Sequence, residues 1–191
     1  MPSSYKTNLP SLTVDTNNEG AKVLLEKSMR EMGMVPNLFA NLANFPALLE
    51  TYWNGRNLFM QQGGFTPVEQ EVVFLVISRE NECSYCVGGH SFSADFVSNV
   101  PAAVTDAIRD QKEIPDQKLK ALSDFTLVMM RKHGQPSNED VAAFHTAGYT
   151  DMHILSIILA IGMKTLSNYT NHIFHTELDS MMASRAWKPS H

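Results

Sequence analysis

The apolar side chains of this chain recur with helical spacing along most of its length. From residue 19 onward, apolar positions three or four residues apart alternate with polar ones, which places the apolar side chains on one face of a helix. Glycines and prolines interrupt the pattern, and Thr66-Pro67-Val68-Glu69 has the capping-box sequence of a helix start. The predicted helices span residues 19–33, 36–43, 47–61, 68–81, 84–97, 101–111, 116–132, 137–148 and 151–180.

The 68–81 segment is strongly apolar and could form a strand or a helix. Val72, Val73 and Val76 have branched side chains, which suit a strand. The capped start, the length and the helical neighbours favour a buried helix instead. No alternating strand pattern, phosphate-binding glycine motif or clear repeat occurs elsewhere, so the sequence predicts an all-α fold.

The last predicted helix, 151–180, is apolar around most of its circumference between Ile154 and Ile161. A helix of this kind is expected to be buried on all sides, either in a core or at a subunit interface. Gly162 marks the place where a kink is expected. Further along, Asn168, Asn171 and His172 form a polar stripe that could face a functional pocket.

The pattern divides the chain into three parts. Residues 1–18 are rich in Ser, Thr, Asn and Pro and are expected to form an extended arm, available for packing on another subunit. Residues 19–183 are expected to form a single all-helical domain, and residues 184–191 a loose tail.

Composition and charge narrow the functional classes. The chain has 191 residues, a formal net charge of −5 and a sequence pI near 5.8, which argues against nucleic-acid binding. No run approaches the roughly 18 apolar residues of a membrane span, and the first residues lack an export signal. We therefore expect a cytoplasmic protein with neither nucleic-acid nor membrane partners. In a reducing compartment, a pair of cysteines is more often catalytic, redox-sensing or metal-binding than a structural disulfide.

Both cysteines of the chain stand at the start of a predicted helix. Cys83 and Cys86 are three residues apart, and His90 follows Cys86 by four, so all three side chains lie on one helical face. Unpaired backbone N–H groups and the helix dipole at this position would stabilise a thiolate. A histidine on the same face could accept or deliver a proton near neutral pH.

Glu71 is an acid within the apolar 68–81 segment, and a reversal of the chain near Asn81 would bring it alongside the cysteine helix. Burying an unpaired carboxylate is costly, so a buried Glu71 would be hydrogen-bonded to a functional group. The alternative is that Glu71 lies with Gln70 on a solvent-facing stripe, and the sequence favours neither.

Three interpretations of the cysteines remain open at this point. They can be a dithiol/disulfide redox pair activated by Glu71 and His90, a zinc site with His90, or two buried structural cysteines. A closed zinc site needs a fourth ligand, commonly from a second Cys/His knuckle, and no such knuckle occurs. A thioredoxin-type domain is disfavoured because its motif belongs to a βαβ unit.

The array Glu71…Cys83-Ser-Tyr-Cys86-Val-Gly-Gly-His90 resembles the alkylhydroperoxidase D-like branch of the carboxymuconolactone decarboxylase family. The helical pattern over 66–178 is similar to the family core, and 19–64 resembles the extra N-terminal helices of longer peroxidase-related members. The resemblance implies an all-helical bundle that assembles into trimers or hexamers. It also implies reduction of alkyl hydroperoxides without a bound cofactor, using a thiol or dithiol reductant of protein or lipoyl type. A non-catalytic oligomeric member of the family is the other expectation.

The resemblance also implies a role for each residue of the array. Cys86 would attack the peroxide, Cys83 would close the disulfide, and Glu71 with His90 would form the proton relay. Tyr85 departs from the pattern, since well-characterised peroxidase members have a histidine there, so one proton-transfer group is missing. Decarboxylase activity is not expected, because decarboxylases of the family typically lack the cysteine pair.

Overall fold

The computed structural model describes residues 4–189, and within them every regular element is helical. The predicted all-α fold is therefore confirmed, and most helices lie within a few residues of their predicted bounds. The elements are α1 (Glu19–Met32), α2 (Asn37–Leu42), α3 (Pro46–Gln62), α4 (Pro67–Glu80), α5 (Ser84–Phe96), α6 (Ala102–Asp110), α7 (Gln117–Arg131), α8 (Asn138–Thr146) and α9 (Asp151–Phe174), followed by a short 3-10 helix (Ser180–Arg185).

Helix α4 is the centre of the molecule and packs against α5, α6, α7 and α9. Its ten residues from Glu69 to Ser78 are all buried, so the apolar 68–81 segment is a helix inside the core and not a strand. The helix begins with a full capping box. The Thr66 hydroxyl accepts from the Glu69 N–H at 3.3 Å, and a Glu69 carboxylate oxygen accepts from the Thr66 N–H at 2.9 Å.

Helix α9 is continuous through Gly162, where the sequence predicted a kink, and it ends at Phe174 instead of residue 180. It ends there because His175 takes a left-handed conformation (φ 50°), which turns the chain back over the bundle. The expectation of burial on all sides does not hold within this chain. Ile157 and Ala160 are fully buried, whereas Leu155 is 58% exposed.

The chain on both sides of the helical domain packs against it. In the N-terminal arm, the Thr7 N–H donates to the Ile173 carbonyl at 2.8 Å, and the Leu12 N–H donates to the Ala40 carbonyl at 3.0 Å. The arm thus contacts α9 and α2 of its own chain. Residues 1–3 of the predicted arm and 190–191 of the predicted tail lie outside the described residues.

The prediction of a loose tail is wrong for residues 185–187. Arg185 makes ion pairs with Asp95 at 2.9 Å and Asp106 at 2.6 Å, and the Arg79 guanidinium lies 4.7 Å from the centre of the Trp187 ring. Gly88 allows this close packing on α5. A Cβ at that position would lie 2.9 Å from the Leu178 side chain and 3.4 Å from the Arg185 carbonyl oxygen.

Among residues 4–189, no single helix is both long and apolar enough to cross a membrane. Helices α8 and α9 reach that length and hydropathy only when taken together, and they meet at a bend of 108°.

Candidate functional site

The turn between α4 and α5 places both cysteines at the start of a helix. Glu82 adopts a left-handed conformation (φ 53°), and the Cys83 N–H donates to the Ser78 carbonyl at 3.0 Å, which reverses the chain. Cys83 is the N-cap residue of α5 and Cys86 lies in its first turn, as the sequence indicated. The backbone N–H groups of this first turn have no partner within the helix.

Both cysteines are free thiols, and both are buried: Cys83 is 0% and Cys86 3% exposed. The Asn171 side chain, which comes from α9, contacts both sulfurs. Its Nδ2 lies 3.2 Å from Cys86 Sγ and 3.7 Å from Cys83 Sγ. Asn171 belongs to the polar stripe seen in the sequence, whereas His172 of that stripe is exposed.

The two thiols differ sharply in acidity. The pKa of Cys83 is raised, because its thiol donates a hydrogen bond to Cys86 and because it is buried. Burial by itself would raise the pKa of Cys86 as well. The hydrogen bond from Cys83 and the positive charge of Lys164 outweigh that effect, and the pKa of Cys86 lies well below its usual value. Cys86 is thus the more acidic thiol of the pair, and Cys83 is its hydrogen-bond donor.

Glu71 and His90 form a buried pair beside the cysteines. His90 Nδ1 lies 2.8 Å from Glu71 Oε2, and Glu71 is only 5% exposed. The solvent-facing alternative for Glu71 is therefore wrong. Gln70 is buried too, where it donates to the carbonyls of Met60 and Phe65, both at 2.9 Å. Burial and the charge of Lys164 lower the pKa of His90.

Lys164 of α9 is a site residue that the sequence reasoning missed. It is 0% exposed, and its Nζ lies 2.8 Å from His90 Nε2. It is the only Asp, Glu, Lys or Arg between Asp151 and Glu177, so a charge isolated in an apolar helix was the signal that could have identified it. Both ring nitrogens of His90 are thereby engaged, and neither makes a hydrogen bond to a sulfur within the described residues.

Tyr85 stands between the cysteines in the sequence, but its hydroxyl forms hydrogen bonds with groups other than the two sulfurs. Its hydroxyl donates to Asp179 Oδ2 at 2.5 Å and accepts from the Leu38 N–H at 3.4 Å. Burial and the Asp179 carboxylate raise the pKa of Tyr85, so the phenol stays protonated at neutral pH. Through its hydrogen bond to Asp179, Tyr85 joins the segment after α9 to α5.

A cleft of about 270 Å³ opens between the start of α5 and the end of α9. Cys83, Asn171 and His172 are among its lining residues, and Cys86 is not. A larger cavity of about 610 Å³ lies between α7 and α9 and contains none of the four predicted site residues.

Within residues 4–189, no three His, Cys, Asp or Glu side chains are arranged to hold a metal ion. A histidine needs a free ring nitrogen to bind zinc. His90 does not offer one, since its two ring nitrogens contact Glu71 and Lys164.

Comparison with solved structures shows that this chain has a known fold. A peroxidase-related protein from Ralstonia eutropha JMP134, described as an alkylhydroperoxidase AhpD core, has a TM-score of 0.81 at 20% identity, over 98% of this chain and 100% of that one. This chain has the alkylhydroperoxidase D fold. An uncharacterized peroxidase-related protein from Silicibacter sp. TM1040 matches the same fold, with a TM-score of 0.78 at 19% identity over 95% of each chain. No protein-family model and no curated protein sequence matches the chain.

Proposed function

We propose that the protein is a thiol-dependent peroxidase that reduces alkyl hydroperoxides through a Cys83–Cys86 dithiol/disulfide centre, with Glu71 and His90 as its proton relay. The observation that carries this proposal is the position of the two free thiols, which share the Asn171 amide and lie beside the buried Glu71–His90 pair. Cys86 has a lowered pKa and Cys83 a raised one. A thiolate beside a protonated thiol is what peroxide reduction needs.

The reaction balances with the groups at the site. The Cys86 thiolate attacks the terminal oxygen of the hydroperoxide, the O–O bond breaks, and the alkoxide leaves and takes up a proton to become an alcohol. The Cys83 thiol then attacks the sulfenic acid on Cys86, a disulfide forms and water leaves. A thiol or dithiol reductant, of protein or lipoyl type, restores the two thiols by exchange and becomes a disulfide itself.

The fold comparison supports the reaction class, because the Ralstonia and Silicibacter proteins are both described as peroxidase-related. A cytoplasmic location, which the composition predicts, would supply the reductant. The proposal includes a homo-oligomer, either a trimer or a hexamer, as the resemblance implies.

The test uses the reduced protein and cumene hydroperoxide. We expect one equivalent of peroxide to be consumed per cysteine pair, with an intramolecular disulfide visible by mass spectrometry as the loss of two hydrogen atoms. Cys86→Ser should abolish peroxide consumption. The matched variant Cys83→Ser should react once and stop at a sulfenic acid, which dimedone would label.

Full peroxide turnover by Cys86→Ser would overturn the mechanism. Stoichiometric zinc in the purified protein would support the metal-site alternative. Thiols that resist alkylation throughout the neutral pH range would support a non-catalytic scaffold instead.

A further inference from the structure

Lys164 is a buried charge for which the Glu71–His90 relay gives no reason. The side chain extends from α9 into the core, is 0% exposed, and ends 2.8 Å from His90 Nε2. Its ammonium also lies near enough to Cys86 to lower the pKa of that thiol. A buried ammonium is strongly destabilising without an anionic partner, so the partner has to be identified.

The hydrogen bonds fix the proton positions around His90. An ammonium group has only donors, so a protonated Lys164 requires His90 Nε2 to accept. The proton of the neutral ring then resides on Nδ1, which donates to Glu71 Oε2 at 2.8 Å. The lowered pKa of His90 agrees with a neutral ring. In this arrangement His90 contacts Lys164, and the charge of Lys164 in turn acts on the Cys86 thiol.

Among the titratable groups around Lys164, Cys86 is the one that can serve as its anionic partner. Four titratable residues surround it: Tyr52 from α3, Cys83 at the N-cap of α5, and Cys86 and His90 within α5; Glu71 of α4 lies on the far side of His90. Burial raises the pKa values of Tyr52 and, with its hydrogen bond to Cys86, of Cys83, so both stay protonated. The Glu71 carboxylate is separated from Lys164 by the imidazole ring. Burial alone would lower the pKa of Lys164, but the acidic groups around it, Cys86 first and then Tyr52 and Cys83, outweigh that effect and raise it.

We propose that Lys164 is the counter-ion of the Cys86 thiolate, and that Glu71 and His90 act on the thiol through it. In its neutral form the Lys164 amine takes the proton of the Cys86 thiol, which leaves an ammonium beside a thiolate. After attack on the peroxide, the ammonium returns that proton to the departing alkoxide, which gives the alcohol and the neutral amine. This role deepens the proposed peroxidase function and rests on it for the second of these steps.

The same charge directs the reductant to Cys83. In thiol–disulfide exchange the sulfur that forms the more stable thiolate leaves faster, and Lys164 stabilises the thiolate of Cys86. The incoming thiolate therefore attacks Cys83 Sγ, breaks the S–S bond and releases Cys86. Cys83 is also the cysteine that lines the cleft between α5 and α9.

The test measures the reactivity of Cys86 without peroxide. In a Cys83→Ser background, the rate of alkylation by iodoacetamide is followed against pH with Lys164 and with Lys164→Met, an unbranched replacement without charge. We expect alkylation at neutral pH to be at least about tenfold slower without Lys164, since each unit of thiol pKa changes the thiolate fraction by up to tenfold. Lys118→Met is the matched control, because its ammonium is exposed and paired with Glu69 at 2.9 Å; it should leave the profile unchanged.

A folded Lys164→Met protein with an unchanged alkylation profile overturns the proposal. A second measurement needs no variant: ¹⁵N NMR of the reduced wild-type protein should find the His90 proton on Nδ1, and a proton on Nε2 overturns the proposal too. Both readouts are independent of peroxide. A peroxidase assay that fails while Lys164 still controls the thiol disproves the proposed function alone.

Discussion

At the scale of single residues, the site consists of buried polar groups that form hydrogen bonds with one another. Glu71 and Lys164 are charges within apolar helices, and His90 bridges them with contacts of 2.8 Å on each side. Each group by itself would destabilise the fold, and together they form a connected hydrogen-bonded row. Asn171 continues the polar site on the other side of the sulfurs.

Asn171 should tune the Cys86 thiol through its amide hydrogen bond. Removing the donor with Asn171→Leu should raise the pKa of Cys86 by about one to two units, because a hydrogen bond to a charged group contributes about 1.5–3 kcal/mol. The pH dependence of iodoacetamide alkylation in the Cys83→Ser background measures the change. Asn168→Leu is the control, since Asn168 is equally buried on α9 but hydrogen-bonds Asn81 at 2.9 Å. Equal shifts in both variants would contradict a specific contact.

At the scale of elements, α4 is the helix whose position sets the site. It carries Glu71 in its buried stretch and leads directly into the turn that presents Cys83. Its start is held by Glu69, which accepts from Thr66 and from the Tyr149 hydroxyl at 3.0 Å and pairs with Lys118 at 2.9 Å. One carboxylate thus connects the beginning of α4 to the chain that precedes α9 and to α7.

Glu69→Gln should lower the free energy of unfolding by about 1–2 kcal/mol at pH 7, because the charge that pairs with Lys118 and one of the two acceptor oxygens are lost. Burial alone would raise the pKa of Glu69, but Lys118 and the Thr66 hydrogen bonds outweigh it, so the folded pKa lies below the ordinary 4.5. A lowered folded pKa stabilises the protein above pH 4.5, and this stability is lost as the pH falls through the folded value.

Urea denaturation of wild type and Glu69→Gln between pH 7 and pH 3 should therefore show two curves that converge in acid. Glu50→Gln, which changes an exposed carboxylate on α3, is the control and should stay within about 0.5 kcal/mol of wild type. If the difference between the two unfolding free energies grew as the pH fell, the pKa of Glu69 would be raised by folding and not lowered.

At the scale of the whole molecule, the outer side of α9 is an apolar surface that residues 4–189 leave uncovered. Leu155, Ile158 and Met152 are 58%, 50% and 68% exposed, although they belong to the most apolar helix of the protein. The sequence predicted that this helix is buried in a core or at a subunit interface. Only its inner side packs in the core of this chain. An uncovered apolar surface of this kind is typical of a binding interface.

If the proposed homo-oligomer uses this surface, Ile158→Glu should dissociate it, since burying an unpaired carboxylate at an interface is strongly unfavourable. Size-exclusion chromatography with light scattering would then find a trimer or hexamer for wild type and a monomer for the variant. Val23→Glu is the control: Val23 is 59% exposed on α1, and its replacement should leave the assembly intact. A monomeric wild type would disprove the oligomer.

The course of the chain after α9 was the part of the fold that the sequence predicted least well. The pattern extended the helix to residue 180 and left residues 184–191 loose, because nothing local indicates where this segment docks. Arg185 reaches Asp95 and Asp106, which lie on other helices, and Gly88 makes room for the chain. These contacts join residues that are far apart in the sequence, and local periodicity carries no information about them.

The sequence by itself determined the helical class, the capped start of α4 and the position of Cys83 and Cys86 at the start of α5. These features depend on residues a few positions apart, where capping and helical spacing act. Only the tertiary structure decided what stands beside the sulfurs. Lys164 is 74 residues from His90, and Asn171 is 85 residues from Cys86. Their roles follow from how α9 packs across α4 and α5, which depends on the whole core and not on any local pattern.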